Sequence, residues 1–132
     1  MSKIVVGYDG SQAAKRALER AATLADGDPV IVVSAVRPLI SRGAGGYDAV
    51  EREEHERHLA EAAARLEELG VEARTIEEVG DPASVIAREA EAHGADLVIV
   101  GTEGKNALER LFEGSVSADT VRKATTDVLV IH

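Results

Sequence analysis

Apolar residues along the chain form five short runs, each rich in Val and Ile and separated from the next by a helical pattern. The runs lie at residues 4–8, 30–36, 71–79, 96–100 and 127–131. The first and fourth runs are continuously apolar, as strands covered on both faces are. The third run, VEARTIEEV, alternates apolar and charged residues, which is typical of a half-exposed strand. The pattern predicts five strands, with the third at an edge of the sheet.

The segments between these runs have the apolar spacing of helices. Ser11 is suited to cap a first helix, whose apolar stripe continues to Ala25 before residues 26–29, DGDP, end it. A long helix over residues 48–69 is predicted to bury one stripe and to expose an almost wholly charged opposite face. The predicted stripe of this long helix is Leu59, Ala62, Ala63, Leu66 and Leu69.

Two further helices complete the alternation of strand and helix. The third is predicted to begin with Asp81 as its cap and Pro82 in its first turn, and the fourth follows Gly114. This alternation is typical of an α/β fold, a parallel sheet with helices on both faces, and we expect residues 1–132 to form a single such domain. The connection over residues 37–47 contains three glycines and is either an exposed loop or a flap beside a ligand.

The composition narrows the classes of partner. The chain has 15 Lys and Arg against 24 Asp and Glu, a formal net charge of −9, which disfavours nucleic acid and anionic membranes as partners. It has no cysteine, which excludes disulfides, thiolate catalysis and cysteine-bound metals. The first residues lack an apolar signal core, and no apolar run approaches the roughly 18 residues of a membrane span. We therefore expect a cytoplasmic protein.

Polar residues and glycines follow two of the predicted strands. In open α/β sheets, ligands bind beyond the carboxyl ends of the strands, where the strand order reverses. The first strand leads into Asp9, whose carboxylate is suited either to accept hydrogen bonds from a ribose or to cap the first helix. Gly101 and Gly104 follow the fourth strand, and Gly114-Ser115 begins the last helix, where free N–H groups attract anions. The glycines predict a phosphate site.

The spacing of these glycines resembles the pattern of a known family. Gly101, two residues, Gly104, nine residues and Gly114-Ser115 match the G-x2-G-x9-G-[S/T] motif of the ATP-binding branch of the universal stress protein family. IVVGYDGS is similar to that family's first strand and turn, DLVIVGT to its fourth strand, and GSVS followed by TDVLVIH to its last helix and strand. The resemblance implies a Rossmann-like, adenine nucleotide alpha hydrolase-like open sheet of five parallel strands in the order 3-2-1-4-5.

The resemblance also implies a set of nucleotide-binding residues. Asp9 would contact the ribose or adenine, the backbone near Ala35 would contact adenine, and the glycine-rich segments would surround the phosphates. The Glu103 carboxylate repels phosphates unless a divalent ion lies between them or the side chain points to solvent, and Lys105 could supply a compensating cation. The predicted set is Asp9, Gly10, Ser11, Ala35, Gly101, Gly104, Lys105, Gly114, Ser115, Val116 and Ser117.

The function implied by the resemblance is that of an ATP-binding regulatory protein, a nucleotide-dependent switch of the stress response. ATP would be held with Mg2+ or Mn2+, coordinated mainly by its phosphates, and no metal site of the protein itself is expected. We expect at most slow ATP hydrolysis, since no base that orients water is evident. The alternatives are a nucleotide-free dimeric interaction module, which Glu103 favours, and an enzyme of a related adenine-nucleotide fold with turnover dependent on Asp9.

The terminal strand Asp127–Ile131 is the implied dimer interface. It is a short apolar strand at the edge of the sheet, and such an edge is exposed unless it is paired. Members of the similar family form homodimers through it, so a homodimer is expected. The competing arrangement is a monomer whose last residues curl over the sheet.

The glycine motif leads to a mutational expectation. Valine at Gly114, or at Gly101 and Gly104 together, is expected to abolish ATP binding while the fold survives. This expectation treats the glycines as ligand contacts and not as packing positions.

Other sequence signatures are absent or weak. Gly104-Lys105 is followed by Asn106, where a P-loop needs Ser or Thr, and no G-x-S-x-G hydrolase elbow occurs. His55 and His58 on the long helix, with Glu51 and Glu54 nearby, could in principle hold a metal, but we expect a solvated polar face there. Of the four histidines, His132 alone is expected at a strand end in the crevice.

Overall fold

The strands of the structure form one parallel sheet. The structure is a computed structural model that describes residues 3–36, 49–101 and 126–132. In these ranges the strands are β1 (Ile4–Gly7), β2 (Val30–Val36), β3 (Ala73–Val79), β4 (Leu97–Gly101) and β5 (Asp127–Ile131). They pair in the order β3-β2-β1-β4-β5, and each pairing is parallel. The strand order that the family resemblance implies is confirmed, and the strand ends agree with the sequence prediction to within two residues.

Helices cover both faces of this sheet. Those in the described ranges are α1 (Gln12–Leu24), α2 (Ala49–Glu68) and α3 (Pro82–Ala92). The side chain of Ser11 accepts a hydrogen bond from the first turn of α1, and that of Asp81 does the same for α3, so both predicted caps are confirmed. The helix predicted after Gly114 lies outside the described residues. Within the described ranges, no helix combines the length and the apolarity that crossing a membrane requires.

The core has two layers, one on each face of the sheet. In the first layer α1 and α2 pack over Ile4 and Val6 of β1. In the second layer α3 packs over Val5, with Val85 and Ile86 as its own buried side chains. Successive residues of β1 thus point into opposite layers, as the two-residue period of a strand requires. Continuous burial of the central strands is the reason that their sequences do not alternate.

Exposure at the margins of the fold follows the predicted pattern with one exception. β3 lies at an edge of the sheet and has exposed residues at Arg74 and Thr75, which confirms its predicted place. Leu59 and Leu66 of the α2 stripe are buried as predicted. The prediction for Leu69 is wrong: its side chain is 38% exposed and lies beyond the end of α2, which is at Glu68.

Candidate functional site

A cleft opens at the carboxyl ends of the central strands. β1 lies between β2 and β4, and the chain crosses from one side of β1 to the other between β3 and β4, so this is where the strand order reverses. Its walls include Asp9 after β1, Ala35 of β2, Ile86 of α3 and Gly101 of β4, and it encloses about 450 Å³ including the part open to solvent. Its place at this edge of the sheet is where ligands bind in open α/β folds.

The turn after β1 brings Asp9 to the mouth of this cleft. The backbone N–H of Tyr8 donates to the carbonyl of Val33, 2.9 Å away, which holds the end of β1 against β2. The Asp9 carboxylate accepts the N–H of Ser11 at 2.9 Å, and Ser11 Oγ in turn accepts the N–H of Ala14 at 3.1 Å. Ser11 is therefore the residue that caps α1. Asp9 orders the turn, and a carboxylate with one such bond retains acceptor positions for a ligand.

Gly10 allows the turn to pass beneath α2. Its φ is +80°, in the left-handed region that glycine adopts without strain, and a Cβ built on it would lie 2.7 Å from Nε2 of His58. No real Cβ comes this close to a heavy atom, so any other residue here would displace the His58 ring. The glycine thus serves both the backbone conformation and the packing of α2 over the turn.

Gly101, at the end of β4, allows close packing against α1. A Cβ on it would lie 2.7 Å from the carbonyl carbon of Ala13 and the nitrogen of Ala14. Both contacts are with backbone, which no change of side-chain rotamer can relieve. The geometry therefore argues against the expectation that the fold tolerates valine at this position, and it gives Gly101 a packing role that the sequence analysis missed.

His55 and His58 lie on the inner side of α2. His55 lines the cleft, and its Nδ1 lies 2.5 Å from Oγ of Ser34, a fully buried residue of β2. Nδ1 of His58 is buried and has no hydrogen-bond partner in the described part of the chain. The His58 ring makes T-shaped contacts with the rings of Tyr8 and His55, with centroids 6.4 and 6.3 Å apart.

These positions correct two expectations about the histidines. The solvated face predicted for His55 and His58 is wrong, and so is the expectation that neither lies in the crevice. The inward position of His55 could have been predicted from the sequence. It precedes the buried stripe at helical spacing, since successive intervals of four, three and four residues put on one face of the helix His55, Leu59, Ala62 and Leu66. In the described ranges, no cluster of three or more His, Asp or Glu side chains is suited to hold a metal ion.

Tyr8 supplies a hydroxyl that remains protonated. The residue is 5% exposed, and its burial raises the pKa of the phenol above the usual 10.0. The negative charges of Glu61 and Asp9 raise this pKa further, since they oppose a phenolate. At neutral pH the Tyr8 hydroxyl is therefore neutral.

The structure brings part of the predicted site together. Asp9, Ala35 and Gly101 line the cleft, while Gly10 and Ser11 build the turn that carries Asp9. The remaining predicted site residues, namely Gly104, Lys105, Gly114, Ser115, Val116 and Ser117, lie outside the described residues, as do Glu103 and residues 37–47. The described portion is thus the end of the site predicted for the base and ribose, together with the first glycine of the motif.

Comparisons with a family model and with individual proteins point to the same family. The model of the universal stress protein family matches residues 1–132. A universal stress protein of Methanocaldococcus jannaschii is 35% identical over 137 residues, which cover 98% of this chain and 81% of the relative. The match extends over nearly the whole of this chain, so it includes the residues of the cleft as well as those of the sheet.

Two similar solved structures contain adenine nucleotides. A crystal structure of a universal stress protein in complex with cAMP has 29% identity and a TM-score of 0.71, and covers 99% of this chain and 97% of that one. The structure of the universal stress protein from Archaeoglobus fulgidus in complex with dAMP has 25% identity and a TM-score of 0.76, with 100% and 98% covered. Both structural similarities extend over nearly the whole of this chain.

Proposed function

The chain belongs to the universal stress protein family, and on that premise we propose that it is a regulatory protein that binds an adenine nucleotide, ATP in particular, in the cleft at the carboxyl ends of β1, β2 and β4. The observation that carries the proposal is the convergence of Asp9, Ala35 and Gly101 on this cleft. They lie on or just after three separate strands and are three of the residues expected to meet the ribose, the base and the phosphates. The nucleotide complexes of similar proteins support the same ligand class.

The chemistry of the described walls suits a nucleoside. Ala35, Val33 and Ile86 present apolar surface on which a planar base can be buried, and Asp9 presents a carboxylate that can accept hydrogen bonds from ribose hydroxyls. A mostly apolar pocket with a few fixed polar groups is the usual composition of a small-molecule site. These features support binding of the sugar and base independently of the phosphate segment.

The phosphate half of the proposal depends on the glycine motif. Gly104, Gly114 and Ser115 would supply backbone amides and a hydroxyl to the phosphates, and Lys105 would balance the charge of Glu103. A divalent ion, Mg2+ or Mn2+, would be coordinated mainly by the phosphates. Its contribution when bound is to neutralise phosphate charge.

We propose a switch that binds and releases its ligand and does not turn it over. The described walls of the cleft are largely apolar, which leaves few side chains there that could activate a water molecule. The expected rate of ATP hydrolysis is at or near background. The homodimer through β5 and the cytoplasmic location remain predictions from the sequence.

The first experiment asks whether the purified protein carries a nucleotide. Denaturation should release an adenine nucleotide that chromatography and mass spectrometry identify, or calorimetric titration of the empty protein with ATP and Mg2+ should give saturable binding. Absence of both would favour the nucleotide-free interaction module. Turnover of ATP that depends on Asp9 would instead favour an enzyme.

The variant Asp9→Asn tests whether the nucleotide binds in this cleft. Asp9→Asn retains an oxygen that can accept the Ser11 N–H, so the turn survives, but it removes the charge offered to the ribose. Because hydrogen bonds to charged groups contribute roughly 1.5–3 kcal/mol, we expect the affinity to fall by about tenfold or more. Asp26→Asn is the matched control, an exposed turn residue after α1 and outside the cleft. Equal affinities of the two variants would place the ligand elsewhere.

A further inference from the structure

A second cavity, the α1–α2 groove, lies between the two helices of the first core layer. One wall is formed by residues 12, 15, 16 and 19 of α1, whose spacing puts them on one face of the helix. The other wall is formed by Glu61 and Arg65, one turn apart on α2, and the buried side chains of Tyr8 and Leu18 form the floor. The groove encloses about 780 Å³ including the part open to solvent. Of its described lining residues, Tyr8 alone also lines the cleft.

Three of the five charged side chains that line the α1–α2 groove are already engaged. The guanidinium of Arg65 reaches from α2 to the Glu19 carboxylate of α1, 2.9 Å away. Nε of Arg16 donates to the backbone carbonyl of the last residue of the chain at 2.8 Å. Lys15 and Glu61 remain, and neither forms an ion pair with another residue in the described ranges. The groove therefore offers a ligand one cation on the α1 wall and one anion on the α2 wall.

The floor of the groove carries a hydroxyl group that lacks a partner. Tyr8 is 5% exposed, and its hydroxyl makes no hydrogen bond with the residues that the structure describes. The Glu61 carboxylate is near enough for its charge to raise the pKa of this phenol, so the hydroxyl is within electrostatic reach of the α2 wall. Nearly all buried polar groups in proteins have a hydrogen-bond partner, and a molecule in the groove would supply one. Because the hydroxyl stays protonated, it can both donate and accept a hydrogen bond.

We propose that the α1–α2 groove binds a small zwitterion of the α-amino acid class, with its carboxylate at Lys15, its ammonium group at Glu61 and a hydrogen bond to the Tyr8 hydroxyl. The site is separate from the nucleotide cleft, and the inference does not rest on the proposed function. A simple anion would leave the Glu61 charge opposed to its own, and a simple cation would do the same with Lys15, whereas a zwitterion pairs both. For so small a ligand in an open groove we expect a dissociation constant of about 1 mM.

The test compares zwitterions with molecules of similar shape that lack one of the two charges. The probes are L-alanine, L-serine and L-glutamine, each with its carboxamide, which lacks the carboxylate, and with the corresponding deaminated acid, which lacks the ammonium group. NMR titrations of the full chain follow the backbone amides of Gln12, Lys15 and Glu61. At least one amino acid should shift these resonances saturably, and its two single-charge analogues should bind about tenfold more weakly.

Variants of the two walls assign each charge to its partner. Lys15→Gln should remove the preference for the amino acid over its carboxamide, and Glu61→Gln should remove the preference over the deaminated acid, because each variant removes one partner charge. Glu67→Gln, at an exposed position of α2 outside the groove, is the matched control and should keep both preferences. Tyr8→Phe keeps the buried ring but lacks the hydroxyl, so the amino acid should bind it more weakly by up to about tenfold.

The unaltered chain provides the decisive outcome, since no variant has to fold for it. Absence of saturable shifts with all of these amino acids, or shifts centred on Ala35 and Ile86 of the cleft, would overturn the inference. A preference that persists in either charge variant would overturn it as well. Failure of the chain to bind a nucleotide would instead overturn the proposed function and leave this inference standing.

Discussion

Nε2 of His58 lies 2.7 Å from the point that a Cβ on Gly10 would occupy. The turn after β1 is therefore packed directly against α2. The turn contains Asp9 and the helix contains His55, and both of these residues line the cleft. Neither side can be moved alone, because the left-handed φ of Gly10 fixes the course of the turn and the ring of His58 fills the space above it. The walls of the cleft from β1 and α2 are thus positioned by a contact that does not itself line the cleft.

The first prediction concerns this contact. Gly10→Ala adds both the strain of a left-handed φ, roughly 1–2 kcal/mol, and a collision with His58 that should add about 1 kcal/mol or more. Gly27→Ala is the matched control, because Gly27 has a φ of +91° but nothing within 4 Å of its Cβ position. Urea unfolding should show a larger loss of stability for Gly10→Ala. The double variant Gly10→Ala/His58→Ala should recover the difference, and equal losses in Gly10→Ala and Gly27→Ala would refute the collision.

The second prediction separates packing from ligand binding at the motif glycine. Gly101→Ala is expected to lower the free energy of unfolding by about 1–3 kcal/mol in the absence of any nucleotide, because its Cβ meets the backbone of α1. Gly7→Ala is the comparison, since its Cβ would meet the terminal methyl of Ile86 at 2.6 Å. Shortening that side chain in Gly7→Ala/Ile86→Val should relieve the crowding, whereas two of the atoms that crowd Gly101 belong to the backbone of α1 and cannot be shortened. Wild-type stability of ligand-free Gly101→Ala would contradict the packing role.

The third prediction is a pH dependence of stability from two carboxyl groups. Glu89 of α3 is 8% exposed; a hydrogen bond with Glu78 and burial raise the pKa of Glu89 above its ordinary 4.5, although His93 opposes this. The same hydrogen bond and the neighbouring Arg88 guanidinium, 2.6 Å from the carboxylate, lower the pKa of Glu78. Glu89 thus contributes stability below pH 4.5 that is lost as the pH rises through its folded-state pKa. The contribution of Glu78 is present above pH 4.5 and is lost as the pH falls through its folded-state pKa.

Glu89→Gln tests the first of these contributions. The amide is neutral at every pH, so the variant should gain stability relative to the wild type as the pH rises above 4.5 towards neutrality. Thermal unfolding at a series of pH values measures the difference. Glu91→Gln, an exposed position on the same helix, is the control and should follow the wild-type curve. Parallel curves for wild type and Glu89→Gln would rule out a raised pKa at Glu89.

The fourth prediction concerns the homodimer proposed through β5. Sedimentation should give twice the mass of one 13.9 kDa chain. A lysine in place of Val130 puts a charge on the edge strand and should yield a monomer, because lysine on an edge disfavours pairing between strands. Val79→Lys, on the β3 edge where the valine is 42% exposed, is the control and should remain a dimer. A monomeric wild type, or dissociation by Val79→Lys instead, would contradict an interface at β5.

Much of the fold could be predicted because it depends on local pattern. Continuous apolar runs mark strands buried on both faces, and the alternation in residues 71–79 marks an edge strand; both follow from the two-residue period of side chains along a strand. Ser11 and Asp81 could be identified as caps because a cap needs a particular side chain at one position of one turn. Asp9 and Gly101 could be identified as candidate site residues because each directly follows a predicted strand, and both line the cleft.

The tertiary structure decided what depends on residues distant in the chain. The sequence placed His55 on α2, but only the packing of α2 over β2 brings it to Ser34, 21 residues away, and into the cleft. It placed Gly101 after a strand, but only the approach of α1 shows that a side chain there would collide with backbone. Hydrophobic periodicity and turn-forming residues depend on neighbouring positions in the chain, so they can be recognised in the sequence alone. The contacts that shape the cleft arise when separate elements pack together, and no single segment encodes them.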